Sequence, residues 1–335
     1  MSQLKQPATD PLKPGNPSFS QEDQADLFPV GLPGLILEGD APCDLYQRTR
    51  DGGFLFLARK GLPLPKSIRG SLTERGVVQL FVRQDEAHLY FDYLREQVVR
   101  VAQDPLTPPE KKAGFIYSSC QDIMARVMTE PRALFLSQAH EILGPTIDLI
   151  ATSDQATRHL IQLTAHDHAT FVHSTNVGIF ATAMARIIYG QGQDLRRLAS
   201  GFFLHDLGKC RIPLEILNKP GPLTPEERKI VNRHPEDGRL LLQQSGWLTE
   251  EAEIIVVQHH ERDDGTGYPY GLTAGNIHPL ARICRMADIY EALTADRPYC
   301  RKRNTYDALQ LMKEELLSDV DEEIFGHLVK LFASA

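Results

Sequence analysis

Two kinds of hydrophobic patterning divide the chain. Between positions 27 and 83, short apolar runs at 43–48, 53–58 and 77–83 are broken by Gly and Pro, which predicts a small β-rich unit. Segment 85–101 then changes to helical spacing, with Leu89, Tyr93, Leu94, Val98 and Val101 on one face. Thr107, Pro108 and Pro109 open another helix, because a proline in a first turn lacks only a donor that has no partner there. Helical patterning continues over 113–129 and 133–150, and from 153 onward it predominates. Val177, Phe180, Met184, Ile187 and Ile188 line one face of a long helix beginning near His173. Leu198, Phe202 and Leu204 carry the next helix into His205, with Gly208 marking its end. Thr224, Pro225, Glu226 and Glu227 form an N-terminal cap sequence, which places His234 on the helix that follows. A shorter helix over 250–260 ends in His259 and His260. Segment 263–275, with four glycines and Pro269, reads as a loop, and 280–294 is again helical and carries Asp288. Helices at 306–315 and 322–332 finish an all-α bundle. The expected architecture is two-domain: a disordered tail over 1–26, a small α+β domain over 27–104, a helical connector over 105–152 and the bundle over 153–335.

Composition narrows the partners. Of the 335 residues, 42% are hydrophobic, enough for a core in each domain. The net charge of −8 sets a global field that repels nucleic acid, so DNA and RNA are not expected as partners, and an anionic ligand must meet a local cluster of positive charge. No window reaches the roughly 18 consecutive apolar residues of a spanning helix, so membrane insertion is not expected. The N-terminal stretch lacks the apolar centre of a secretion signal, and the five cysteines form no paired framework. Both features point to the cytoplasm.

Candidate chemistry lies in the bundle. His205 and Asp206 are adjacent, His234 follows, then the pair His259 and His260, with His173 upstream and Asp288 downstream. Imidazole and carboxylate are ligands shared by iron, manganese and zinc, and the lack of thiolate beside them argues against a Cys-rich structural site. Seven such groups suit two ions better than one. Asp206 can bridge the pair through its two oxygens, and two close cations acidify a water and aim it at phosphorus. His166 and His168 leave their role open, and His88, His140, His159, His278 and His327 read as ordinary surface or core histidines.

The motifs FFLHDLGKCRIP (202–213), HPEDG (234–238), HHERDDGTGYPYGL (259–272) and RICRMADIYEALTADRPY (282–299) together resemble the HD-GYP family, a branch of the HD superfamily of metal-dependent phosphohydrolases. The resemblance implies an all-α HD bundle and a phosphodiesterase that opens cyclic di-GMP to linear pGpG and then to GMP. It implies one ion on His173, His205, Asp206 and Asp288, and another on His234, His259, His260 and the shared Asp206. Iron is the first expectation for these two divalent ions and manganese the second. Lys209 resembles the family's phosphate-contacting lysine, and Arg297 the arginine directed at guanine. In the GYP loop, which ends at Pro269, Gly265 and Gly267 permit close approach, while Arg262 braces the loop and Tyr268 contacts signalling partner proteins. The N-terminal domain resembles the input module ahead of some members, a second place for partner contact.

The chain also departs from that pattern. Where many members carry tyrosine, and three-metal members glutamate, this chain has Ala169, which neither ligates nor donates a hydrogen bond. Position 300, commonly basic, is Cys300. Two ions rather than three are therefore expected, with fewer substrate contacts. The alternative function is a weak or inactive cyclic di-GMP receptor that signals by binding partners.

Overall fold

The computed structural model describes residues 26–32, 35, 39–63, 66–164, 170–190, 194–295, 302–316 and 321–333. The chain divides into two compact units between Tyr90 and Phe91. The first holds strands β1 (Leu27–Gly31), β2 (Leu45–Arg48), β3 (Phe54–Ala58) and β4 (Gln79–Arg83), with helix α1 (Lys66–Glu74) between β3 and β4. The sheet order is β1-β4-β2-β3, and every pairing is antiparallel. Along β4, Leu80 and Val82 are buried while Gln79 is exposed, the period-two alternation of a sheet with one covered face. β1 is hard to read in sequence because Pro29 interrupts it; as an edge strand it tolerates a residue without N–H, paired across from Phe81.

The second unit is helical: α2 (Ala87–Gln103) runs into it, followed by α3 (Pro109–Thr129), α4 (Ala133–Thr152), α5 (Asp154–Thr164), α6 (Thr170–Tyr189) and α7 (Leu195–Leu204). Then come α8 (Pro225–Val231), α9 (His234–Ser245), α10 (Glu250–Gln258), α11 (Pro279–Thr294), α12 (Thr305–Leu311) and α13 (Glu322–Ala333). α6 packs on α7 and α11, α7 on α10, and α9 on α10. α3 packs on α4, α5 and α6, so the 109–152 stretch shares the bundle's core. Phe202, Phe203, Ile255, Val256, Ile283 and Met286 are fully buried there, and their removal from water holds α7, α10 and α11 together.

Two local expectations are corrected. α7 stops at Leu204 with His205 as its cap, and Gly208 lies inside a 3₁₀ turn over Leu207–Arg211 rather than at the helix end. The helix capped by Thr224 does have its reciprocal capping box with Glu227, but it ends at Val231, and His234 opens a separate helix. Pro235 is the physical reason: it has no N–H for the Val231 carbonyl, and its ring collides with a carbonyl four residues back.

Candidate metal centre

Both oxygens of Asp206, a residue 2% exposed, face histidines. Oδ1 lies 3.2 Å from His234 Nε2 and 3.7 Å from His259 Nε2. Oδ2 lies 3.3 Å from His173 Nε2 and 3.4 Å from His205 Nε2. Asp288 closes the second side, its Oδ1 3.3 Å from His173 Nε2. His260 joins the first side, its ring centroid 4.2 Å from that of His259 and 5.0 Å from that of His234. The result is two groups, Asp206 with His234, His259 and His260, and Asp206 with His173 and His205, each with its ligand atoms within 4.8 Å of one another.

The ends of helices orient three of these rings. The last carbonyls of an α-helix have no intrahelical donor. His205 caps α7, and its Nδ1 donates to Phe202 O at 2.9 Å. His259 caps α10, and its Nδ1 donates to Val256 O at 2.9 Å. His234 Nδ1 donates at 2.8 Å to Val231 O, the carbonyl that Pro235 leaves without a backbone donor. In each ring the proton therefore sits on Nδ1 and the Nε2 lone pair faces inward. His173, inside α6, relies instead on Glu291, whose Oε2 is 2.5 Å from its Nδ1.

These residues fit a cation. His234 Nε2 and His259 Nε2 are 3.3 Å apart with both lone pairs inward, an arrangement that repels unless a positive charge is shared between them. His205 Nε2 and Asp206 Oδ1 are buried without a hydrogen-bond partner, a costly state that a metal ion would relieve. Burial pushes the His259 pKa down to about 4 and holds His260 well below its usual value, so both rings are neutral donors at pH 7. Burial alone would raise Asp206, but Lys209, His205 and His173 outweigh it and keep the carboxylate ionised. Asp288 behaves likewise: burial opposes, and the His173 contact prevails. At His173 burial lowers the pKa, but Asp206, Asp288 and Glu291 together lift it well above the ordinary value.

Lys209 places Nζ 2.5 Å from Asp206 Oδ2, with its side chain 31% exposed. Gly208 makes this approach possible. A Cβ there would stand 1.9 Å from His234 O and 2.5 Å from Gly238 N, so the turn bearing Asp206 and Lys209 lies directly on the start of α9.

The loop after His260 is similarly pinned. A Cβ on Gly267 would meet Arg262 N at 2.4 Å, and the Tyr268 ring stacks on His260 with centroids 4.6 Å apart. Gly265 has φ +75°, and the Tyr268–Pro269 bond is cis. Arg262 pairs with Asp264 at 3.5 Å, while Arg282 reaches Asp263 at 2.8 Å. Sequence reasoning missed two carboxylates. Glu261, fully buried, accepts the backbone N–H groups of Tyr270 at 2.7 Å and Leu272 at 2.8 Å, and Glu291 braces His173. Glu291 stands three residues after Asp288, hence on the same face of α11, and that spacing was the available clue. Ala169, Arg297, Cys300, His166 and His168 lie outside the described residues.

The HD domain family matches residues 149–324. A cyclic di-GMP phosphodiesterase of Pseudomonas aeruginosa is 34% identical over 199 residues, covering 59% of this chain and 48% of that protein. The 3'3'-cGAMP-specific phosphodiesterase 3 of Vibrio cholerae is 32% identical over 70% of this chain and 48% of its own length. The chain thus spans about half the length of these curated relatives. A solved structure of an HDG"Y"P protein from Bdellovibrio bacteriovorus shares the fold, with TM-score 0.67 and 19% identity over 92% of this chain and 100% of that one. The chain belongs to the HD domain family and carries the histidine, aspartate and loop motifs through which it resembles the HD-GYP branch.

Proposed function

We propose that this chain is a phosphodiesterase of cyclic di-GMP, working with two divalent ions, iron first and manganese second. The observation that carries the proposal is Asp206, whose two oxygens face two separate histidine groups. His173, His205, Asp206 and Asp288 would hold one ion, and His234, His259, His260 and Asp206 the other. When bound, such ions supply Lewis acidity, drawing charge from the phosphoryl group and lowering the pKa of water. The chain's own residues do the rest. Five imidazole nitrogens and two carboxylates would leave a pair of dications with excess positive charge, suited to an anionic diester. Lys209, at the accessible side of Asp206, would form a charge-assisted hydrogen bond to the phosphate and offset charge built up in the transition state. Burial keeps the Tyr268 phenol protonated beside His260, available as a donor to a ligand oxygen. Arg297 would read guanine through its planar fork.

We place the protein in the cytoplasm, with Cys43, Cys120, Cys210 and Cys284 as free thiols. Opening to pGpG, then GMP, is the proposed product order. A receptor without turnover, with partner proteins docking on the GYP loop or the N-terminal unit, is the second reading, supported by Ala169 and Cys300 in place of polar substrate contacts. Time courses of the Fe²⁺- and Mn²⁺-loaded full-length chain with cyclic di-GMP and with 3'3'-cGAMP decide between them. Linear product from cyclic di-GMP, reduced by about a thousandfold or more in Asp206→Asn, is the expected outcome. Saturable binding with no product under either metal supports the receptor, and turnover of 3'3'-cGAMP alone changes the substrate.

A further inference from the structure

We infer that Glu291 is a positioning residue for the metal centre, held in place by Asn176 and by Tyr117 from helix α3, which lies outside the HD family match. The inference rests on the two-ion reading above and adds residues that bind neither metal nor nucleotide.

His173 faces a problem that His205, His234 and His259 do not. Inside a helix the backbone carbonyls already accept N–H bonds, so an imidazole there has no spare carbonyl to fix its Nδ1. Glu291 supplies the acceptor from α11, with Oε2 2.5 Å from His173 Nδ1. It is itself 3% exposed, and a buried carboxylate must be hydrogen-bonded. Its other oxygen lies 3.4 Å from Asn176 Nδ2. The amide of Asn176 could turn either way, but its Oδ1 accepts the Tyr117 hydroxyl at 2.8 Å, which directs Nδ2 toward Glu291 and the Thr164 carbonyl. Tyr117, Asn176, Glu291 and His173 thus form one continuous, mostly buried chain from α3 through α6 to α11. One face of α11 presents both Asp288 to the inner nitrogen of His173 and Glu291 to the outer one.

A carboxylate behind an imidazole fixes its tautomer and strengthens it as a donor more than a neutral carbonyl does. The site built on His173, His205 and Asp288 should therefore bind its ion more tightly than the three-histidine site, where His234 and His259 are backed by neutral carbonyls. Only the former should respond to Glu291.

The test is Mn²⁺ titration of the metal-free full-length chain, followed by electron paramagnetic resonance with bound metal counted by mass spectrometry. Wild type should show two unequal affinities. Glu291→Ala should weaken one of them by about 10–100-fold and leave the other at its wild-type value. Glu291→Gln, which keeps an acceptor oxygen, should recover part of the loss. Tyr117→Phe should weaken the same site by a few-fold and lower the melt by only a few degrees, since it leaves one buried acceptor, Asn176 Oδ1, without its donor. Unchanged affinities in Glu291→Ala, or equal weakening of both sites accompanied by a lowered melting temperature, overturn the inference. A wild-type chain that takes up no Mn²⁺ overturns the two-ion reading instead.

Discussion

Gly208 shows how much of a metal centre depends on a residue that binds nothing. Any side chain there would meet backbone, His234 O at 1.9 Å and Gly238 N at 2.5 Å, rather than a flexible tip that could swing aside. Gly208→Ala must therefore push the turn carrying Asp206 away from α9. We expect a stability loss of about 1–3 kcal/mol together with loss of bound Mn²⁺. Gly275→Ala is the control, because a Cβ at that position meets nothing within 4 Å. Equal metal content in the two variants would show that contact between the turn and α9 does not set the ligand geometry. At this scale the residues that cluster were legible and their supports were not. His173, His205, Asp206, His234, His259, His260 and Asp288 announce themselves by chemistry and order along the chain. Glu261 looks like any surface glutamate in sequence, because nothing in a residue's name records that it is buried, and Glu291 is marked only by its spacing from Asp288.

At the scale of elements, helix ends rather than helix faces position three of the five imidazoles. Periodicity recovered the helices, yet it carried the Thr224-capped helix through His234, since the apolar pattern is blind to a two-residue break. Pro235 makes that break and, in doing so, frees the carbonyl that orients His234. Pro235→Ala restores a donor for Val231 O, which then competes with the imidazole. Alanine is also the better helix former by about 3 kcal/mol in a helix interior, although less is at stake at a first turn. The expected result is a thermal melt unchanged or raised, with the affinity of the three-histidine site for Mn²⁺ reduced by about tenfold. A variant that keeps wild-type affinity would refute the role assigned to the freed carbonyl. The loop from Arg262 to Thr273 is an element of another kind, folded around one buried carboxylate instead of a ladder. Glu261→Ala removes the acceptor of the Tyr270 and Leu272 amides, at about 1–3 kcal/mol for groups left unpaired. Those two amides should lose protection in hydrogen exchange while the amides of α10 keep theirs. Retained protection at Tyr270 and Leu272 would show that the loop is held by its glycines and Arg282 alone.

At the scale of the molecule, the proposed ligands come from separate elements between His173 and Asp288, all within the helical unit, while the sheet unit contributes none of them. The unfolded chain cannot present them together, so a bound ion stabilises the folded helical unit by mass action. With free Mn²⁺ a thousandfold above its dissociation constant, that stabilisation is about 4 kcal/mol per site. For a unit of this size each kcal/mol moves the midpoint by roughly 2–4 °C, so one site is worth roughly 8–16 °C. Scanning calorimetry with Mn²⁺ and then with excess EDTA should therefore move the helical unit's transition down by at least that amount. The transition of the sheet unit should stay where it is, since β1 to β4 carry none of the seven ligands. Asp206→Asn removes the shared charge from both sites, and its melt in Mn²⁺ should approach that of the EDTA-treated wild type. Should EDTA leave both transitions in place, the inward-facing lone pairs of His234 and His259 would have to be reconciled by a proton, which burial opposes by pushing the His259 pKa down to about 4.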